Sequence, residues 1–244
     1  MYFLLNLFSL NSSVSISVSK LLILTGFPSD EAKKIEVVDL QNPQNSCSFP
    51  EEFPARLSGA TGGFTQDGPL LCGGFNYETR STLNACFSLK DSKIVEADVK
   101  LQTERNRASS VVLPNGELWI QGGYDGKNSL STSETMSLQG SKPGMELEKG
   151  ISGHCSTMIN ATTAFITGGF TGSYSRETYF VDIHNWRWTK GPQMEVTRTN
   201  HGCAVIMQND KNYAVIAGGY NYDGLSSTEI LDLDSGTLEW TKGK

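Results

Sequence analysis

Short apolar runs recur along this chain at nearly even intervals, and each is closed by a pair of small residues. The runs read LLILTG, GPLLCGG, ELWIQGG, AFITGGF and YAVIAGG. Their length and their branched or aromatic content predict strands. Four runs end in a glycine doublet: Gly73-Gly74, Gly122-Gly123, Gly168-Gly169 and Gly218-Gly219. The second glycines stand 49, 46 and 50 residues apart, and Thr25-Gly26 takes the same place 48 residues before Gly74. After each doublet comes a polar loop and a second strand: KIEVVDL (34–40), NACFSL (84–89), SETMSL (133–138), TYFVDI (178–183) and TEILDL (228–233).

Two further elements keep the same phase. Trp188-Thr189-Lys190-Gly191 matches Trp240-Thr241-Lys242-Gly243 and marks an outer strand. Ahead of the doublets, Met194, Arg198, His201 and Ile206 keep the offsets of Leu101, Arg105, Ala108 and Leu113, and of Leu147, Ile151, His154 and Ile159. Each unit is therefore expected to hold four short strands. Such a sheet cannot bury both faces alone, but copies set around an axis cover one another.

This pattern resembles the kelch repeat, a β-propeller blade of about 50 residues. The resemblance covers roughly residues 21–243 and implies an all-β kelch-type propeller over residues 20–244, with four full blades and a partial one. In that setting the doublets end inner strands where backbones crowd, and Trp188 and Trp240 pack between blades. The first unit begins at its second strand unless Val14–Val18 supplies the first. The second and third units lack the Trp, with Val99 and residues near Met145 in its place. Kelch propellers usually have about six blades, so the chain reads as a fragment. Closure of five blades through the termini is the other reading.

Composition narrows the function classes. Apolar residues make up 38%, and counting the 25 glycines among 244 residues brings this to about 48%, ordinary for a globular domain. A net charge of −6 argues against a nucleic-acid partner, which requires a basic face. No stretch reaches the roughly 20 apolar residues of a spanning helix. The apolar start MYFLLNLFSL, followed by small residues at Ser17 and Ser19, reads as a signal peptide over 1–19, although no Lys or Arg precedes Lys20. Alternation in Val14–Val18 gives the alternative reading, a half-buried strand. The first reading places the protein outside the cell, the second leaves it in the cytoplasm.

Five cysteines preclude complete internal pairing. Cys72 and Cys86 fall on neighbouring antiparallel strands and are candidates for a disulfide. In the repeat alignment Cys155 matches Gly202, and Ser156 matches Cys203. That offset of one residue would turn the two thiols to opposite faces of their strands, so they are expected to be unpaired. Cys47 has no assigned partner. Asn160-Ala161-Thr162 is a glycosylation sequon in a predicted turn, and Asn11-Ser12-Ser13 is another that a signal peptide would remove.

Candidate chemistry is sparse. His154 and His201 share one repeat position without a carboxylate or cysteine in phase, which favours local hydrogen bonding over a shared metal. No nucleophile elbow, phosphate loop or EF-hand pattern occurs, and no catalytic residue, metal or cofactor is assigned. Galactose-oxidase-type copper enzymes use a kelch-like propeller, but their two Tyr, two His and Tyr-linked Cys have no matching positions here. The loops after the doublets are rich in Tyr, Asn and Arg, residues that anchor recognition surfaces. Tyr77, Arg80, Tyr124, Tyr174, Arg176 and Tyr222 are the candidate contacts, with Arg105 and Arg198 from the lead-in loops. The expectation is a monomeric, non-catalytic module that binds a protein through these loops. The alternative is an extracellular enzyme or glycan-binding domain.

Overall fold

The computed structural model describes residues 52–90 and 93–243, the strand segments 20–23, 36–39 and 47–48, and Lys33 and Gln44. The expected signal peptide, the Asn11 sequon and the Thr25-Gly26 doublet lie outside the described residues.

Every regular element among the described residues is a β-strand. Strands β1 (Lys20–Ile23), β2 (Glu36–Asp39) and β3 (Cys47–Ser48) form an N-terminal sheet in that order. Four antiparallel four-stranded sheets follow. The first holds β4 (Thr61–Thr65), β5 (Gly68–Cys72), β6 (Ala85–Lys90) and β7 (Lys93–Lys100). The second holds β8 (Ser109–Val112), β9 (Leu118–Gln121), β10 (Ser133–Ser137) and β11 (Gly140–Pro143). β12 (Cys155–Met158), β13 (Thr163–Thr167), β14 (Thr178–Asp182) and β15 (Arg187–Lys190) make the third. β16 (Gly202–Gln208), β17 (Lys211–Ala217), β18 (Thr228–Asp232) and β19 (Trp240–Lys242) make the fourth. Within each sheet the strands pair in chain order, so every connection is a hairpin or a short loop.

Sheets of this size leave apolar faces uncovered, and the fold hides them between neighbours. Leu70 and Cys72 of the first sheet share a buried cluster with Leu118, Ile120 and Met136 of the second. Val111 and Trp119 of the second pack with Ile166, Tyr179 and Val181 of the third. Phe165 of the third joins Met194, Ile216, Leu231 and Trp240 of the fourth. Trp240 lies in a stacked arrangement with Phe165 at 6.2 Å and donates its indole N–H to the Pro192 carbonyl at 2.9 Å. Trp188 stands edge-on to Tyr179 at 5.6 Å, with its indole nitrogen 3.0 Å from the Met145 sulfur in the preceding unit. Trp119, fully buried, packs on Trp186 at 4.9 Å.

The first strands of successive sheets also touch one another: β4 meets β8, β8 meets β12 and β12 meets β16. The doublets make this approach possible. All eight of their glycines have positive φ, which a residue with a Cβ adopts only at a cost. A Cβ on Gly168 would lie 2.5 Å from the Arg198 carbonyl of the next unit. At Gly73 it would collide with the Arg105 carbonyl.

Cys72 and Cys86 sit directly opposite on β5 and β6 and form a buried disulfide. Cys155 and Cys203 form a second, with Cα atoms 5.9 Å apart, which corrects the expectation that they stay unpaired. Opposite faces forbid contact only within one sheet. Between two sheets that confront each other, the front of one meets the back of the next, and a one-residue offset is what brings side chains together. The other junctions repeat it: Thr61 meets Ser110 and Ser109 meets Ser156, each pair at 2.7 Å between hydroxyls.

Candidate functional site

The first strands line a cleft of about 1970 Å³. Small and polar residues such as Thr61, Ser109, Ser110 and Ser156 face the next sheet where the strands meet, and Val111, Val112, Met158, Val205 and Ile206 line other parts of the wall. At each junction a backbone bond reinforces the side-chain contact, a hydroxyl pair at the first two and the disulfide at the third. The N–H of Arg107 donates to the Gly59 carbonyl, that of Gly153 to Arg107, and that of Asn200 to Gly153, all at 2.7 Å. Gly59, Arg107, Gly153 and Asn200 occupy one repeat position and share left-handed φ values of 64°, 52°, 61° and 51°.

His154 and His201 follow that position directly and are buried at the cleft wall. Burial pushes the His154 imidazole down to about 3. His201 is also brought to about 3, by burial first and then by the Arg198 charge and His154, against the opposing pull of its bond to Thr167. Its Nε2 lies 2.9 Å from the Thr167 hydroxyl. Both rings are therefore neutral at physiological pH. No group of three or more His, Cys, Asp or Glu side chains capable of holding a metal occurs among the described residues.

The mouth of the cleft is aromatic. Tyr77, Tyr124, Phe170, Tyr174 and Tyr220 line it, with Lys127, Asn128 and Asn200 between them. Tyr77 bonds the Ser58 hydroxyl at 3.0 Å. Tyr174 is the hub of an aromatic cluster, edge-on to Phe170 at 5.6 Å, Tyr220 at 5.8 Å and Tyr222 at 4.9 Å. Tyr222 is 82% exposed at a left-handed φ of 58°, so a strained turn holds a large apolar ring out in water.

Of the residues singled out from sequence, the structure brings Tyr77, Tyr124 and Tyr174 to the cleft and joins Tyr222 to them through Tyr174. Arg80 and Arg176 are exposed but do not line the cleft. Arg105 and Arg198 are corrections. Each is fully buried and donates to a carboxylate, Glu134 at 2.6 Å and Glu229 at 2.7 Å. Each also bonds the carbonyl of a doublet glycine, Gly122 or Gly218, at 2.7 Å. They hold the lead-in segment against its own sheet and present nothing to a partner. Sequence reasoning missed Phe170 and Tyr220, although the signal was there: each of the four glycine doublets is followed by an aromatic residue, Phe75, Tyr124, Phe170 or Tyr220.

Asn160 is exposed in the turn between β12 and β13, its side-chain oxygen accepting from the N–H and hydroxyl of Thr162. Among the described residues no helix is long and apolar enough to cross a membrane. No family model matches the chain, and no curated protein matches it.

Proposed function

We propose that this chain is a kelch-type β-propeller that works without catalysis, binding a partner protein at the aromatic mouth of its cleft. The observation that carries this reading is the Tyr174 cluster. Three aromatic rings converge on Tyr174 from loops of two sheets, and Tyr222 and Phe170 remain exposed at 82% and 37%. Tyr side chains contribute large contact areas at little entropic cost, and they concentrate at binding hot spots. The two disulfides are compatible with an exported protein, since such bonds persist in oxidising compartments.

Affinity capture with the full chain tests the proposal, run beside a Tyr222→Ala/Phe170→Ala variant and a Gln139→Ala control in the exposed turn joining β10 to β11. The expected result is one set of partners, lost with the double variant by about 1–3 kcal/mol per ring and kept with the control. Partners retained by the double variant would overturn the site. Binding to an oligosaccharide array that the double variant abolishes would overturn the protein-partner reading in favour of a glycan.

A further inference from the structure

Among the described residues no Asp or Glu lines the cleft, although the chain holds 26 of them and carries a net charge of −6. Three cations do line it: Arg107, Lys127 and Lys149. Lys149 is paired with Glu177. Arg107 and Lys127 are exposed and make no ion pair among the described residues. Asp125 lies near enough to feel the Lys127 charge, but its carboxylate is engaged by its own turn, where it accepts the N–H groups of Lys127 and Asn128, each at 2.7 Å. It does not line the cleft. A cleft lined by one sign of charge focuses its field, so the mouth is positive on a molecule that is negative overall.

Arg107 is kept there against its backbone. Its φ of 52° is left-handed, in the repeat position where the other units carry Gly59, Gly153 and Asn200. Glycine and asparagine enter that region readily, and a longer side chain does so at a cost in free energy. The junctions use only the main chain of Arg107: its N–H donates to the Gly59 carbonyl and its carbonyl accepts from Gly153. The guanidinium therefore does nothing for the junction that a glycine would not. Strain of this kind at a cleft points to a ligand. Asn106, the preceding residue, exchanges two backbone bonds with Tyr124 at 2.9 and 2.7 Å, which sets Arg107 beside the loop that bears Lys127. The mouth is thus divided. Its free charge lies on the second unit, and Phe170, Tyr174 and Tyr220 lie on the third and fourth.

We propose that the partner protein enters this mouth with an extended acidic segment, whose carboxylates meet Arg107 and Lys127 while an apolar residue of the same segment packs on Phe170 and Tyr174. This rests on the protein-binding reading given above. Arg107 offers a planar fork that a carboxylate can engage with both oxygens, and Lys127 a mobile point charge. The net negative charge of the rest of the molecule repels the same segment, which confines it to the cleft and fixes its direction.

Selection of random phage-displayed peptides on the full chain tests the proposal. The parent should enrich peptides that carry Asp or Glu beside an aromatic or aliphatic residue. Arg107→Asn/Lys127→Gln, which copies Asn200 at the first position and so spares the junction, should lose the acidic preference. With an enriched peptide made synthetically, fluorescence anisotropy at low salt should show the dissociation constant rising about tenfold or more in that variant. It should stay within about twofold in Lys90→Gln/Lys142→Gln, which removes the same charge away from the cleft. In about 1 M salt, where screening acts over ~3 Å, parent and variant should converge. Acidic peptides enriched equally by the variant, or an affinity indifferent to salt, would overturn the acidic assignment. Neutral or basic peptides enriched by the parent and lost with Tyr222→Ala/Phe170→Ala would also overturn it, while leaving the protein-binding reading intact. A parent that enriches no peptide would overturn both, as would heparin oligosaccharides that bind in place of peptides and are lost with Arg107→Asn/Lys127→Gln.

Discussion

Removing the Glu134 carboxylate should destabilise the protein more than almost any other single change, and the chain itself supplies the rescue. Arg105 is 1% exposed and its side chain meets Glu134 at 2.6 Å, with the Gly122 and Thr132 carbonyls at 2.7 and 3.0 Å. Glu134 also accepts the backbone N–H groups of Gln102 and Thr103 at 2.7 and 3.1 Å. Glu134→Phe strands a buried guanidinium on neutral acceptors, which costs about 3–5 kcal/mol. It also orphans two backbone donors, at about 1–3 kcal/mol for each that water cannot reach. In the first unit the same two positions hold Leu57 and Phe87, both buried, and the residue matching Gln102 is Pro54, which has no N–H to satisfy. Arg105→Leu/Glu134→Phe should therefore recover most of the loss, and adding Gln102→Pro should bring stability to within about 2 kcal/mol of the parent. Urea unfolding followed by tryptophan fluorescence measures the parent, these three variants and Arg105→Leu alone. A coupling energy under about 1 kcal/mol between the two substitutions, or a double variant no more stable than Glu134→Phe, would refute this account of the pair.

Acid should loosen the third and fourth sheets. His154 and His201 titrate near 3 in the folded chain, against about 6.5 when unfolded. The unfolded state therefore binds more protons, and stability present above about pH 6.5 is lost as pH falls toward 3. At pH 5 each ring should cost about 2 kcal/mol. His154→Ala/His201→Ala, which copies Ala60 and Ala108 of the first two units, should flatten the dependence of the urea midpoint on pH, and an unchanged slope would refute the assignment. The two disulfides should open in order under graded reductant, because thiolate attack requires access. Cys155 and Cys203 are half-buried at the cleft and should be alkylated first, while Cys72 and Cys86, 1% and 0% exposed, should resist. Simultaneous labelling by mass spectrometry would contradict that order.

The strands were legible because each apolar run is bounded by turn residues and recurs in phase, so errors at one copy are corrected by the others. KIEVVDL, TYFVDI and TEILDL contain β2, β14 and β18 within a residue or two at each end. The fate of the two arginines was harder to see. Repeat position alone puts Arg105 and Arg198 in lead-in loops, where a polar side chain suggests an exposed surface. Their carboxylates lie 29 and 31 residues further on. The partner columns, read together, held the answer: Leu57 goes with Phe87, Arg105 with Glu134, Ile151 with Tyr179 and Arg198 with Glu229. A cation appears only where an anion faces it, as the expense of burying either alone requires.

Cys155 and Cys203 show why single-sheet rules fail at a junction. Alternation along a strand decides which face a side chain takes, but not which sheet confronts that face. Once the first strands of successive sheets are set side by side, the contact runs from one repeat position in a unit to the following position in the next, from Thr61 to Ser110, Ser109 to Ser156 and Cys155 to Cys203. The bonds at Gly59, Arg107, Gly153 and Asn200 hold that registration through main-chain atoms, so it does not depend on which side chains follow. Hydroxyl pairs can therefore give way to a disulfide, and alanine to histidine, without moving the junction. The side chains at these positions are free to vary in chemistry while the cleft they line keeps its shape, which is the property a binding scaffold needs.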